Sequence, residues 1–238
     1  MSDTLASMIT RVDGIINRED VTSAMITGWI NDAQRLICRS HNMDIMKCRY
    51  QTTTTDKTQS YALPDGSNAS YFRYKREIAC HLINASKYRV RLTRKPTRDI
   101  EDMEDHIEYP DSTKNTGYGT PSEYSCDNGY LYLYETPDHA GNDNTAWIID
   151  LLYYGYFADL SASTDYNKLV QQYPEILEKV AASIGFENHT QEFDKAQYYL
   201  TQAKSLLIDI FNAEREEEFG TREEGFEPDR STGTYPRD

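Results

Sequence analysis

At 238 residues and 27.5 kDa, the chain has room for one larger domain or two small ones. Its 25 Lys and Arg against 39 Asp and Glu leave a formal charge of −14, the wrong sign for wrapping nucleic acid, where affinity comes from cations on phosphates. No apolar run approaches the roughly 20 residues of a membrane helix, no basic-then-apolar leader is visible at Met1-Ser2-Asp3-Thr4-Leu5, and the four scattered cysteines (Cys38, Cys48, Cys80, Cys126) lack metal-ligand spacing.

Leu5, Met8, Ile9, Val12, Ile15 and Ile16 recur at three- and four-residue steps and predict a first helix, with Ser2 or Asp3 able to cap it. Asn17-Arg18-Glu19-Asp20 breaks the pattern. A second helix is predicted over 22–40, with Ile26, Trp29, Ile30, Ala33, Leu36 and Ile37 on one face and Asn31, Asp32 and Arg35 on the other. The short connection makes the two an antiparallel helical hairpin.

Near Cys48 the chain changes to strand chemistry. Residues 49–55 and 59–63 read as a hairpin about Asp56-Lys57-Thr58, closed by Pro64-Asp65-Gly66. Residues 77–83 and 87–93 read as a second hairpin about Asn84-Ala85-Ser86, 96–105 as a short polar helix, and 109–119 as a loop. The strongest local signal is Asp127-Asn128-Gly129 between 122–126 and 130–135, since Asn-Gly is the favoured two-residue hairpin turn. There Tyr130, Tyr132 and Tyr134 share one face, and Leu131 and Leu133 the other. Residues 137–145 read as a loop and 146–157 as a long apolar strand.

Helix returns at Tyr173-Pro174, with Pro at the first turn and Ile176, Leu177, Val180, Ala181 and Ile184 as the stripe. A last helix is predicted over 190–216, carrying Phe193, Ala196, Leu200, Ala203, Leu207 and Ile210. From Phe219 no period survives, and 219–238 reads as an extended tail that orders on binding. The predicted class is α+β: an antiparallel bundle of N-terminal (1–47) and C-terminal (161–218) helices, an inserted β-rich domain (48–160) and the tail.

Catalytic motifs are missing: no GxSxG, HExxH, GxGxxG or phosphate loop occurs, and the five histidines stand far apart. The expectation is a protein that is not an enzyme and uses no metal or cofactor. Charge segregation is more informative. Arg73, Lys75, Arg76, Lys87, Arg89, Arg91, Arg94, Lys95 and Arg98 crowd one window in which Glu77 is the only acid. Directly after come Asp99, Glu101, Asp102, Glu104, Asp105, Glu108 and Asp111, with no Lys or Arg among them. These charges either pair within one subunit, form unlike faces through which copies meet head to tail, or, in the basic window, touch DNA phosphates. The tyrosine count, 19 against 7 Phe and 2 Trp, suits interfaces, because Tyr buries a ring and keeps a polar tip.

The order of features resembles a known family. Gly28-Trp29-Ile30-Asn31-Asp32-Ala33-Gln34, Tyr61-Ala62-Leu63-Pro64-Asp65, Gly119-Thr120-Pro121-Ser122-Glu123-Tyr124, Gly129-Tyr130-Leu131-Tyr132-Leu133 and Tyr173-Pro174-Glu175-Ile176-Leu177 follow one another in a pattern similar to head-to-tail adaptor (connector) proteins of tailed bacteriophages, over roughly 4–213. The resemblance implies a structural virion protein of the neck, assembled in the host cytoplasm as a dodecameric ring. That ring would dock on the portal protein above and on tail nozzle or fibre proteins below, with no membrane involved; separately, the net negative charge of the chain points to an acidic lumen through which DNA passes without specific binding. The resemblance also implies a C-terminal segment reaching the portal, for which Phe219, Phe226, Pro228, Tyr235 and Pro236 are the candidates. Tyr130, Tyr132 and Tyr134 form a candidate aromatic interface. Alternative readings are a tail-tube or stopper protein, whose folds are mostly sheet, and a glycan or peptidoglycan hydrolase using the tyrosine row as a sugar platform.

Overall fold

The computed structural model describes residues 3–67, 72–84, 86–100, 118–137 and 146–219. Within it, apolar periodicity sets the helices where the sequence places them. Helix α1 (Leu5–Ile16) buries Leu5, Met8, Val12 and Ile16. Its N-cap is Thr4 rather than Ser2 or Asp3, and two of its free N–H groups are satisfied from afar: Leu5 donates to Asp165 O (2.8 Å) and Ala6 to Ser163 O (3.0 Å). Helix α2 (Ser23–Ser40) is capped by the Thr22 hydroxyl, which accepts from Met25 N–H at 3.3 Å.

At the other end of the chain, α3 (Lys168–Gln172) is a short helix not expected from the sequence, capped by Asn167. Helix α4 (Pro174–Gly185) has Pro at its first turn, as expected. It continues into a π-helical turn, Phe186–Thr190, before α5 (Phe193–Phe219). Helix α5 runs three residues past the predicted end at Glu216, so the expected tail boundary falls on its last residue. One apolar core is shared by α1, α2, α3, α4 and α5, with Ile45 and Met46 from the 3-10 turn Asp44–Met46, its N-cap residue Met43, and Phe157 and Leu160. Gly185 permits the closest approach in it. A Cβ there would stand 2.7 Å from Ile16 Cδ1 and 3.0 Å from the Trp29 ring.

The β region is two four-stranded sheets. The first has the order β1 (Lys47–Thr53), β10 (Ile148–Tyr156), β3 (Arg73–Ile83), β4 (Arg89–Arg91), all antiparallel. The second has the order β2 (Ser60–Ala62), β8 (Tyr130–Tyr134), β7 (Glu123–Asp127), β5 (Thr93–Arg94), its last pair parallel. A short parallel pair, β6 (Tyr118–Gly119) with β9 (Thr136–Pro137), flanks it. Between the sheets lies a second core of Tyr61, Leu63, Cys80, Leu82, Leu92, Tyr124, Leu131, Leu133, Ile149, Leu151 and Tyr153. The chain crosses from one sheet to the other through buried Leu92, whose N–H donates to Cys80 O at 2.9 Å.

Two predicted hairpins form. Strands β3 and β4 pair about the Asn84 turn, with Lys87 N–H on Asn84 O at 2.9 Å. Strands β7 and β8 pair about Asn128 and Gly129, both at positive φ (47° and 82°), as a tight hairpin turn requires. The hairpin predicted over 49–63 does not form. Strand β1 pairs along seven residues with β10, while β2 joins β8 in the other sheet. The long apolar β10 offers β1 a far longer ladder than three-residue β2 could. The link between β1 and β2 is held by a side chain instead. The Tyr61 hydroxyl accepts from Thr55 N–H (3.1 Å) and donates to Thr58 O (2.7 Å). The rest of the predicted 96–105 helix, beyond the helical residues 97–100, and most of the two predicted loops lie outside the described residues.

Class α+β is therefore correct: helices account for 45% of the structure and strands for 26%. A tail-tube or stopper fold would be mostly sheet, which this is not.

Where β10 leaves the sheets, its continuation runs across α2 and needs partners for its backbone. Two amides of α2 supply them. Asn31, 9% exposed, donates through Nδ2 to Leu160 O (2.9 Å) and accepts from Leu160 N–H through Oδ1 (2.8 Å). Gln34, 1% exposed, donates to Ala158 O (2.9 Å) and accepts from Asn167 Nδ2 (2.6 Å). On the strand side, Lys75 reaches the C-terminal end of α2 and donates to Cys38 O and, at 2.5 Å, to His41 O, a favourable place for a cation. Asn31→Leu removes both bonds to Leu160 while keeping side-chain volume, and it should lower the unfolding free energy by about 2–4 kcal/mol in urea titrations. Gly185→Ala should cost about 1–3 kcal/mol by overpacking against Ile16 and Trp29.

Candidate assembly surfaces

Register places the charged residues of the β region. On the outer face of the first sheet, facing away from the second, Gln51, Asp150, His81 and Arg91 stand in one row across four strands. Arg49 and Leu152 stand beside it with Ala79, and Ile148 with Ile83 and Arg89 on the other side. Asp150 is 1% exposed at the centre. Arg49 donates to it through Nη2 at 2.9 Å, Gln51 through Nε2 at 3.1 Å, and Arg89 through Nη2 at 2.9 Å. Burial alone would push its pKa up. The hydrogen bonds from Arg49 and Gln51 and the charges of Arg49 and Arg89 outweigh that and hold it below the ordinary aspartate value. His81 lies beside Arg89, and burial with the neighbouring arginine charges lowers its pKa.

The predicted basic window does not form one face. Arg76 and Arg91 are exposed and make no ion pair among the described residues. Arg89 is bound to Asp150. Lys75 caps α2, and burial lowers its pKa. Arg73 stacks on Tyr156 at 4.7 Å from the ring centroid. Arg94 belongs to the second sheet and pairs with Glu77, a carboxylate only 6% exposed that also accepts from the Tyr74 hydroxyl. Lys95 stands 3.5 Å from Glu123, and Arg98 is exposed. Pairing within the subunit thus absorbs Arg89, Arg94 and Lys95. Of the acidic candidates, Asp99 is exposed, whereas Glu101, Asp102, Glu104, Asp105 and Glu108 lie outside the described residues.

The tyrosine row has the expected alternation. Leu131 and Leu133 enter the core at 2% and 0% exposure, while Tyr130 is 46% exposed and its ring lies 6.4 Å from that of Tyr132, tilted by 50°. Tilted rings do not make the flat platform that sugar stacking favours. Phe219 ends α5, and Phe226, Pro228, Tyr235 and Pro236 lie outside the described residues. The C-terminal part of α5 sits beside the exit of α2, with the Phe211 ring stacked on His41 at 5.0 Å and Glu214 accepting from Asp44 N–H at 3.1 Å.

The arrangement suits contacts better than chemistry. The buried carboxylates Asp150 and Glu77 are both tied to arginines, and Asp150, held below the ordinary aspartate value, is not placed to give up a proton as a general acid. Burial pushes the Cys38 thiol up to about 11 and the Cys126 thiol up to about 12, which keeps both protonated. Among the described residues no cluster of His, Cys, Asp and Glu could hold a metal, and no helix is long and apolar enough to cross a membrane.

The family model described as SU10 adaptor protein matches residues 3–224. The chain belongs to that family. No curated protein matches it. As an SU10 adaptor the chain is a phage structural adaptor protein, and the features that the resemblance rested on acquire physical roles. In the Gly28–Gln34 motif, Asn31 and Gln34 are the buried amides that hold the 157–160 segment, and Trp29 packs on Gly185. The SU10 adaptor match ends at residue 224, ahead of Phe226, Pro228, Tyr235 and Pro236.

Sequence reading missed Asp150, Glu77, Arg49 and the amide pair. Asp150 was detectable as the lone acid inside Ile148-Ile149-Asp150-Leu151-Leu152, since a charge within an apolar strand needs a partner. Because its folded-state pKa is depressed, the stability it contributes is present above about pH 4 and is lost as pH falls through the lower folded-state value. Asp150→Asn should therefore lower the unfolding free energy by about 1–3 kcal/mol at pH 7. In urea titrations across pH the gap to the unaltered chain should narrow below about pH 4.

Proposed function

We infer that this adaptor is a ring subunit of the virion neck, docking beneath the portal, joining capsid vertex to tail and letting DNA pass through the ring. The observation that carries this reading is the family match over residues 3–224. The charge distribution supports it. A ring subunit needs a stiff scaffold and two unlike edges; the shared helical core supplies the first, and the exposed arginines on the outer face of the first sheet, set against the acidic remainder of the chain, support the second. A dodecamer is the copy number implied by the sequence resemblance.

The C-terminal segment with Phe219, Phe226, Pro228, Tyr235 and Pro236 is the portal-binding element in this reading, and it follows the part of α5 anchored on the α2 exit. At a charge of −14, free copies repel one another, so the chain is a monomer until the portal collects it. Tail nozzle or fibre proteins bind on the opposite side. The lumen carries net negative charge, so DNA slides through without counterion release or specific contacts.

Mixing the full chain with purified portal and scoring co-sedimentation tests this directly. The full chain should pellet with portal. Removing 219–238 should leave a folded monomer with a melting temperature within about 3 °C of the full chain and at least about tenfold weaker portal binding. Undiminished binding would take the tail out of the account. The isolated chain should not retard duplex DNA at physiological salt, and strong retardation would contradict a non-adhesive lumen.

A further inference from the structure

The outer face of the first sheet carries a local charge opposite to that of the whole chain. Arg49, Arg76, Arg89 and Arg91 are all exposed there, and Asp150 is the acid among them in the paired rows. Asp150 is hydrogen-bonded by both Arg49 and Arg89, so these two side chains have lost rotamer freedom before any partner arrives. Arg76 and Arg91 make no ion pair among the described residues. Apolar surface lies between the cations, with Ile148 39% exposed and Ile83 and Leu152 half-buried. With one carboxylate among four arginines the face keeps a net positive charge, and around its apolar patch it matches an acidic polypeptide segment that can pair with Arg76 and Arg91 and cover the patch.

We propose that this face receives the acidic run beginning at Asp99 (Asp99, Glu101, Asp102, Glu104, Asp105 and Glu108) of a second copy. The proposal rests on the ring reading above and specifies which surfaces close the ring. Two chains of −14 repel as wholes, so a lateral contact between them must bring together regions of opposite sign. A surface with four arginines and one carboxylate, met by a run with six carboxylates and no Lys or Arg, satisfies that requirement. On its own chain the run begins just after β5, an edge strand of the other sheet, whereas the basic face is the side of the first sheet turned away from that sheet. The face and the strand that leads into the run thus belong to different sheets of one subunit, which suits a head-to-tail contact.

The test uses the full chain with portal and counts rings by negative-stain electron microscopy. Arg76→Glu with Arg91→Glu leaves the Asp150 pairs untouched, and it should cut ring yield at least about tenfold with an unchanged melting temperature. Arg76→Lys with Arg91→Lys keeps the charge and should keep the rings. Combining Glu101→Lys, Glu104→Lys and Glu108→Lys with Arg76→Glu and Arg91→Glu in one chain reverses both surfaces and should restore them. If the unaltered chain forms no rings on portal, the ring reading fails and this contact with it. If it forms rings that the charge reversal leaves intact, the ring reading stands and this contact is wrong. Rings lost but not restored by the reversed run would exclude that run as the partner. A lower melting temperature with rings intact would mean that the run pairs with its own chain. Retardation of duplex DNA by the unaltered chain, lost on charge reversal, would make the face a nucleic-acid surface instead.

Discussion

The constraint on which the structure depends is the hydrogen-bonding of the chain as it passes from sheet to helices. Backbone buried without partners costs far more than a made bond returns, and residues 157–160 cross α2 outside any ladder. Asn31 and Gln34 meet that need, and Gln34 is itself held by Asn167, the cap of α3. One line of side-chain amides thereby ties the end of β10, the middle of α2 and the start of the C-terminal helices into one unit. Lys75 adds a second tie from β3 to the carbonyls at the end of α2. Sheet and helices are joined by polar side chains that have few alternative partners, which favours a single arrangement over sliding apolar contact.

Electrostatics follows a similar logic. A chain with a large excess of acids places two of its carboxylates, Asp150 and Glu77, where water scarcely reaches them, and each is met by arginine. Arginine suits this because its planar fork can bind a carboxylate while the rest of the side chain stays wet. The result at Asp150 is a surface whose cations are arranged by a buried anion. That is a structural role for the acid, and it leaves the neighbouring arginines facing outward, available to a partner.

Much of the fold was legible in residue order. Helix positions came from three- and four-residue apolar spacing, the Asn128-Gly129 turn from its demand for positive φ, and the long strand from an apolar and aromatic run interrupted only by Asp150. The failure was in pairing. Residues 49–63 read as a hairpin because a turn-forming triplet separates two strand-like runs, yet each run found a partner distant in sequence. The basic window misled in a related way. Nearness along the chain suggested one face, but the switch of sheets at Leu92 sends Arg89 and Arg91 to one sheet and Arg94 to the other, and a strand bulge turns Lys75 toward α2.

The amino-acid sequence by itself determined the long helices and the longer strands, the class and, through the order of its motifs, the family, because periodicity, turn chemistry and net charge are local or additive properties. Tertiary structure alone decided which strands pair, which amides are buried and which charges are left facing outward. Those outcomes depend on competition among partners far apart in the chain, where ladder length, desolvation and geometry choose the winner and short-range pattern carries no record of the choice.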